Sequence, residues 1–321
     1  MSSTRDTPGA GDVPAGTNRP EQEVAIEGPP DTGVPATSVS EARQPKWVRL
    51  VKRVLGYATL IAFALMFIMP FALAISASFK SRPEAAASPL SLIPAEPTLR
   101  AYQLMGQFEV PRWAFVSIVV TVSVTLGRLF LDSLAGYALA RLDFPGRRIV
   151  FAVVVATLAI PGIVLAIPRF LVLGQLGMLN TFAGLILPLA VDAFGIFLMR
   201  QFFLSIPKEM EESARLDGAS TFQTYWRIVL PLATPGLIAL PILSFQGSWN
   251  EFLHPLIAAP GDPSLRTLPV GLALLRGAFG EQLDFPLLMG ASILTTIPVA
   301  IIFFTFQRYF VQGVAASGVK G

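Results

Sequence analysis

Residues 205–231, SIPKEMEESARLDGASTFQTYWRIVLP, are too polar to cross a hydrocarbon core, yet they carry the start and stop signals of two short helices. Ser205 is placed to cap a first helix running through Pro207 to Arg215. Glu209, Glu211 and Glu212 sit near its positive end, and Gly218 supplies the positive φ that ends it. Ser220, followed three residues later by Gln223, forms a capping box that starts a second helix. Phe222, Tyr225 and Trp226 place aromatic bulk on it before Leu230 and Pro231. Two short helices at a fixed angle make a rigid lever or plug; the plainer alternative is an amphipathic hairpin at a membrane interface with no partner.

Outward from this loop, both flanks are apolar. Six segments are long enough to span, at 54–79, 115–140, 149–173, 182–203, 235–257 and 285–307, since roughly 20 residues cross a bilayer as a helix. The first contains no charge at all. Pro161, Pro168 and Arg169 predict a kink in the third, and Pro188 and Asp192 interrupt the fourth. The whole chain agrees: 53% of its 321 residues are apolar and only 14% charged, where a soluble protein carries about a quarter. With a mean hydropathy of +0.61, part of the surface must face something other than water. The fold class is therefore an all-α polytopic membrane protein, and an ordinary soluble enzyme is excluded.

The charges fall between the apolar runs. Lys46, Arg49, Lys52 and Arg53, then Arg141, Arg147 and Arg148, then Lys208, Arg215 and Arg227, and finally Arg308 and Lys320 share one side in a six-span arrangement. The other side carries the sparser set Lys80, Arg82, Arg100, Arg112, Arg266 and Arg276. By the positive-inside rule the first side is the cytoplasm, which places both termini and the 205–231 loop there. Residues 1–45, rich in Pro, Gly, Ser, Thr and Glu, read as a disordered cytoplasmic tail, and 46–321 as the membrane domain. The first apolar run begins too late for a cleaved signal peptide, so it reads as an uncleaved first span.

Much chemistry is absent. There is no cysteine and one histidine, so neither thiolate nor clustered imidazole ligands are available for a metal. No GxxxxGK[ST] loop, HExxH or GxSxG occurs, and no basic stripe interleaves with aromatics as a nucleic-acid surface requires. The chain is read as neither an enzyme nor a cofactor holder.

Glu212, Ser213 and Ala214, then Gly218, then Ile228, Leu230 and Pro231 are similar to the signature loop of bacterial ABC importer permeases. That signature is Glu-Ala-Ala, three residues, Gly, nine residues, Ile-x-Leu-Pro, and the spacing fits throughout. Ser213 replaces the middle alanine with a small hydroxyl. YALARLDFPGRR at 137–148, together with 206–231, 248–252, 267–274 and 306–321, resembles the carbohydrate-uptake branch typified by the MalG maltose permease subunit. The resemblance covers residues 46–321 and implies a type I ABC importer permease fold, with six membrane helices and a cytoplasmic two-helix coupling loop at 205–231. It also implies localisation in the bacterial cell membrane, with lipid bilayer around the spans. Implied partners are a second permease subunit resembling MalF, two ATPase subunits or domains that bind ATP and magnesium, and an extracytoplasmic sugar-binding protein. On this chain the docking surface for the ATPase is Glu209 to Asp217, with Glu212, Ala214 and Gly218 most diagnostic; residues 312–321 approach the ATPases and 254–284 meet the binding protein.

Gln246, Trp249, Asn250 and Glu251 combine hydrogen-bonding groups with an aromatic face, the inventory a sugar needs, and Asp192 is placed to line the same path. The alternative for each is packing or gating. Arg128 and Asp132, four apart on one helix face, neutralise each other or face the protein interior. His254 reads as a surface or interfacial side chain rather than a ligand. Two rival functions remain: an ion-coupled secondary transporter using Asp192 and the Arg128/Asp132 pair, or a purely structural membrane subunit.

Overall fold

The computed structural model describes residues 46–278 and 284–318, and among them every regular element is helical. The chain divides into two units, Met1–Thr59 and Leu60–Gly321. The tail expected over 1–45 lies outside the described residues. In chain order the helices are α1 (Lys46–Ser78), α2 (Arg82–Ala87), α3 (Arg100–Gln107), α4 (Val110–Arg141), α5 (Arg147–Thr157), α6 (Ala166–Gln175), α7 (Phe182–Ile186) and α8 (Ala193–Ser205). They continue as α9 (Glu209–Leu216), α10 (Thr221–Thr224), α11 (Leu230–Leu232), α12 (Thr234–Trp249), α13 (Leu253–Ala258), α14 (Leu268–Ala278) and α15 (Phe285–Gly318).

Four helical stretches are long and apolar enough to cross a membrane: Trp47–Ser78, Val110–Arg141, Phe182–Ser205 and Phe285–Gln307. Two bent pairs raise the number to six, so the fold is an all-α, multi-spanning membrane fold. The third expected span is sharper than a kink. Arg147–Thr157 and Gly162–Gln175 meet at 100°. Backbone bonds tighten to a 3₁₀ pattern over Leu158, Ala159 and Ile160 just before Pro161, whose missing N–H allows the helix to stop. Pro168 falls instead within the first turn of α6, where proline is tolerated. The fifth expected span, 235–257, ends early: α12 stops at Trp249, and α13 is a separate short helix. The fourth is interrupted where Pro188 and Asp192 foretold, with a 3₁₀ turn at Leu187–Leu189 before α8.

Helix α4 is the axis of packing in the second unit. Val110 and Trp113 near its start join Met105, Trp249, Leu268 and Leu287. Val116, Val120 and Val124 at mid-length meet Leu173, Leu185 and Ala258. Tyr137 and Ala140 at its end pack with Met199, Phe203, Tyr225 and Leu240. In lipid no hydrophobic force draws helices together, so close approach through small residues matters more. A side chain at Gly136 would meet Met199 Cβ at 2.8 Å and the Arg200 backbone nitrogen at 3.0 Å, so α4 and α8 touch almost backbone to backbone there.

The segment after α1 is held by a buried cation. Lys80, 1% exposed, donates through Nζ to the carbonyls of Ser88 and Ser91 at 2.9 and 2.7 Å. Asp284, fully buried, caps the start of α15 through the Leu287 N–H and pairs with Arg100 at 2.8 Å, tying α3 to α15.

Candidate functional site

The 205–231 segment folds as two short helices, with different edges from those expected. Ser205 does not cap α9; it ends α8, its Oγ donating to the Phe202 carbonyl, and α9 begins only at Glu209 after Lys208. A hydroxyl four residues ahead of the helix is too far to reach its first N–H groups. The helix end is a Schellman turn: the Ala219 N–H bonds the Ala214 carbonyl at 3.0 Å and the Gly218 N–H bonds the Arg215 carbonyl at 3.0 Å, with Gly218 at φ +83°. Ser220 and Gln223 form the capping box in both directions. From Tyr225 to Val229 the second helix widens into a π turn, then bends by 81° into α12.

The two faces of α9 differ. Glu211 and Ala214 are buried at 4% and 5% exposure, whereas Glu209, Met210, Glu212, Ser213, Leu216 and Asp217 are exposed, Leu216 at 89%. On the second helix Phe222 and Trp226, stacked on each other at 6.4 Å, are also exposed. Of the remaining signature residues, Ile228 and Leu230 are half-buried and Pro231 is exposed. Arg141 Nε lies 2.9 Å from Glu211 Oε1, an ionic contact set off the hydrogen-bonding line, and Tyr137 donates to Glu211 Oε2 at 3.3 Å. Arg141 also donates to the Phe203 carbonyl at 2.6 Å and to that of Ile206. Tyr225 packs its ring 4.9 Å from that of Tyr137 and shares a 2.8 Å hydrogen bond with Ser133. A polar cavity of about 200 Å³ opens here between Arg141, Asp143, Lys208, Glu211, Glu212 and Arg215. The expected docking surface, Glu209 to Asp217, is thus divided: Glu211 turns inward to Arg141, a pairing that spacing within the loop does not reveal, while Leu216 is exposed.

The second group of residues is not brought together as one surface. Gln246 in the last turn of α12 and Asn250 just past its end are both exposed, and the Asn250 amide donates to the Gln246 carbonyl at 2.9 Å. Trp249 turns away: 2% exposed, it stacks on Phe245 and donates from Nε1 to the Thr295 carbonyl. Glu251 accepts the His254 N–H at 3.0 Å. His254 is not interfacial but fully buried, its Nε2 donating to the Gly184 carbonyl at 2.9 Å. Asp192 caps α8 by accepting the Gly195 N–H at 3.2 Å. The mutual pairing of Arg128 and Asp132 is absent: Arg128 donates to the Leu189 carbonyl at 2.7 Å, while Asp132, fully buried, faces the interior and accepts the Asp192 N–H. Between α13 and α14 the Ser264 hydroxyl and N–H hold the Asp262 carboxyl below its usual value, fixing that turn. Among the described residues no three His, Asp or Glu side chains converge on a metal-sized site.

Comparison with known proteins places this geometry. Residues 132–316 match the family described as binding-protein-dependent transport system inner membrane component. The arabinooligosaccharides transport system permease protein AraQ of Halalkalibacterium halodurans is 36% identical over 271 residues, 83% of this chain and 95% of that protein. The trehalose/maltose transport system permease protein MalG of Thermococcus litoralis is 33% identical over 85% of this chain and 98% of its own. Among solved structures, a bacterial ABC transporter involved in import of the acidic polysaccharide alginate superposes with a TM-score of 0.71 at 25% identity, over 83% of this chain and 98% of that one.

Proposed function

The chain belongs to the family of binding-protein-dependent transport system inner membrane components, and from that premise we propose that it is a membrane permease subunit of an ATP-driven importer whose cargo is a carbohydrate. It supplies half of the translocation path and receives the closing stroke of its ATPase partners through residues 205–231. ATP and magnesium belong to those partners; this family is the membrane component, and the chain carries no phosphate-binding loop. The remaining parts are a second permease subunit and an extracytoplasmic sugar-binding protein. The finer assignment, a MalG-type subunit facing a MalF-type partner, is supported by the likeness to the trehalose/maltose relative. On this reading 46–321 is the permease domain and both termini lie on the cytoplasmic side.

The observation that carries this reading is the outward face of α9. Leu216, Met210 and the carboxylates of Glu209, Glu212 and Asp217 stand exposed on a helix whose exit is fixed by Gly218 and whose other face is anchored. Exposed apolar side chains interspersed with carboxylates, on a helix held from its other side, are the material of a protein-binding surface. Ser213 keeps its hydroxyl on the Glu209 carbonyl, so it adds no unsatisfied group to that surface. Ala214, Gly218, Ile228, Leu230 and Pro231 set the helix pair's shape. In the path, Gln246 and Asn250 face the solute, while Trp249, Glu251 and Asp192 hold the surrounding helices. An ion-coupled secondary transporter has no support, since the family and the relatives it resembles are components of binding-protein-dependent and ABC transport systems.

Reconstitution tests the assignment. The chain, co-expressed with a second permease, an ATPase and a sugar-binding protein and placed in vesicles, should import sugar only with ATP and with loaded binding protein. Import by this chain without an ATPase would refute it.

A further inference from the structure

Helix α9 packs on the second short helix and its Tyr225–Val229 turn, and its side-chain link to α4 and α8 is one charged point. Of its residues only Glu211 and Ala214 are buried, and an alanine methyl offers little grip. The connection from α8 is exposed at Ser205, Pro207 and Lys208, with Ile206 alone buried. The firm link is therefore Glu211. Both of its oxygens are held by α4, Oε1 by Arg141 and Oε2 by Tyr137 one turn earlier. Arg141 simultaneously binds two carbonyls at the end of α8, that of Phe203, which also accepts the Ile206 N–H, and that of Ile206 just past the helix. One guanidinium thus joins three helices, and the side chains of both ion partners are more than nine-tenths buried.

We infer that Arg141 and Glu211 form the joint through which displacement of α9 moves α4 and α8 together, making Arg141 a positioning residue for transport. This rests on the importer reading above. A buried ion pair is costly to break, because either partner left alone is an uncompensated charge in a low dielectric, so α9 carries the pair with it instead of sliding past. The planar fork of arginine fixes direction as well as distance: Nε faces Glu211 while Nη2 faces the two carbonyls, whereas an ammonium gathers its three donors on one atom and cannot occupy both places. Glu211, 4% exposed, has no face for the ATPase. The glutamates of α9 thus divide the work: Glu209 and Glu212 face outward, and Glu211 faces the joint.

The test uses the full complex in vesicles and reads ATP hydrolysed per sugar imported, with cross-linking of α9 to the ATPase as the measure of docking. Glu211→Gln and Arg141→Lys should assemble and keep the cross-link while ATP per sugar rises at least tenfold. Tyr137→Phe, which leaves the ion pair, should change the ratio less than threefold. In an Arg141→Cys/Glu211→Cys chain, which has no other cysteine, a short thiol-to-thiol linker should bring the ratio back toward that of the parent. If Arg141→Lys does not assemble, Glu211→Gln and the linked pair decide. A ratio within twofold of the parent in assembled Glu211→Gln, a linker without effect, or loss of docking in Glu211→Gln would each overturn the joint. A parent complex that needs no ATP would instead remove the importer reading itself.

Discussion

The Asp132 carboxylate accepts the backbone N–H of Asp192 at 3.0 Å, joining the middle of α4 to the residue that caps α8. Asp192 in turn accepts the Gly195 N–H. Two carboxylates within the membrane part are thereby used to fix the interruption in the fourth span. The break between Leu189 and Ala193 frees backbone groups that lipid would not satisfy, and these carboxylates take up two of them.

That arrangement separates the two residues by experiment. Asp192→Asn keeps an equally good cap and should leave stability within about 0.5 kcal/mol and solute preference unchanged. Asp132→Ala leaves the Asp192 N–H without its partner and should cost about 1–3 kcal/mol, read as a lower melting temperature of the purified chain in detergent. A change of substrate KM in Asp192→Asn would return that residue to the path.

Gly218 is constrained by its backbone and not by space. A Cβ there meets nothing within 4 Å, but φ is +83°. Gly218→Ala should cost about 1–2 kcal/mol and Gly218→Asn less, because asparagine tolerates the left-handed region. Gly218→Pro also deletes the N–H that bonds the Arg215 carbonyl. It should reduce sugar uptake far more than ATP hydrolysis, measured side by side on one preparation; equal uptake in the assembled proline variant would contradict the lever role of α9.

Gly136 is the opposite case, limited by its neighbour. Gly136→Val drives a side chain into Met199 and the Arg200 backbone and should cost about 1–3 kcal/mol by forcing α4 and α8 apart. Gly106→Ala, with open space around it, should be neutral or slightly stabilising. Thermal melts of the two variants check the contrast.

Gln246 and Asn250 are exposed and hold no other helix in place, so their alanine variants should assemble normally. If they face the solute, each should raise the KM for import several-fold, a loss of about 1 kcal/mol per hydrogen bond. Unchanged KM in both would place the path elsewhere.

How much of this was legible in the sequence differs by kind of signal. Apolar runs and positive loops give the spans, because lipid enforces length and polarity. The capping box at Ser220 and the glycine exit at 218 were also legible, since both depend on residues only a few positions apart. The 100° break before Pro161 was not: proline marks a place where a helix stops, but the angle follows from what packs on either side. Arg128 and Asp132 have the spacing of an ion pair, yet the freed Leu189 carbonyl and Asp192 N–H take one partner each, a choice made by residues about sixty positions away. His254 and Lys80 look like interfacial groups in sequence and are buried because backbone carbonyls are waiting for them. Within α9 the three glutamates look alike, and only the path of α4 shows which one turns inward.

The most direct measurement of the central claim, that the outward face of α9 receives the work of an ATPase, uses Leu216. Because the chain has no cysteine, Leu216→Cys introduces a single reactive thiol at a position of that face that is 89% exposed. In the intact complex it should cross-link to the ATPase and block uptake. Leu216→Asp should weaken ATPase association at least tenfold without lowering the melting temperature, as expected for losing about 1.5–3 kcal/mol of leucine burial at an interface. No cross-link from position 216, together with full uptake and normal ATPase association in Leu216→Asp, would contradict the account.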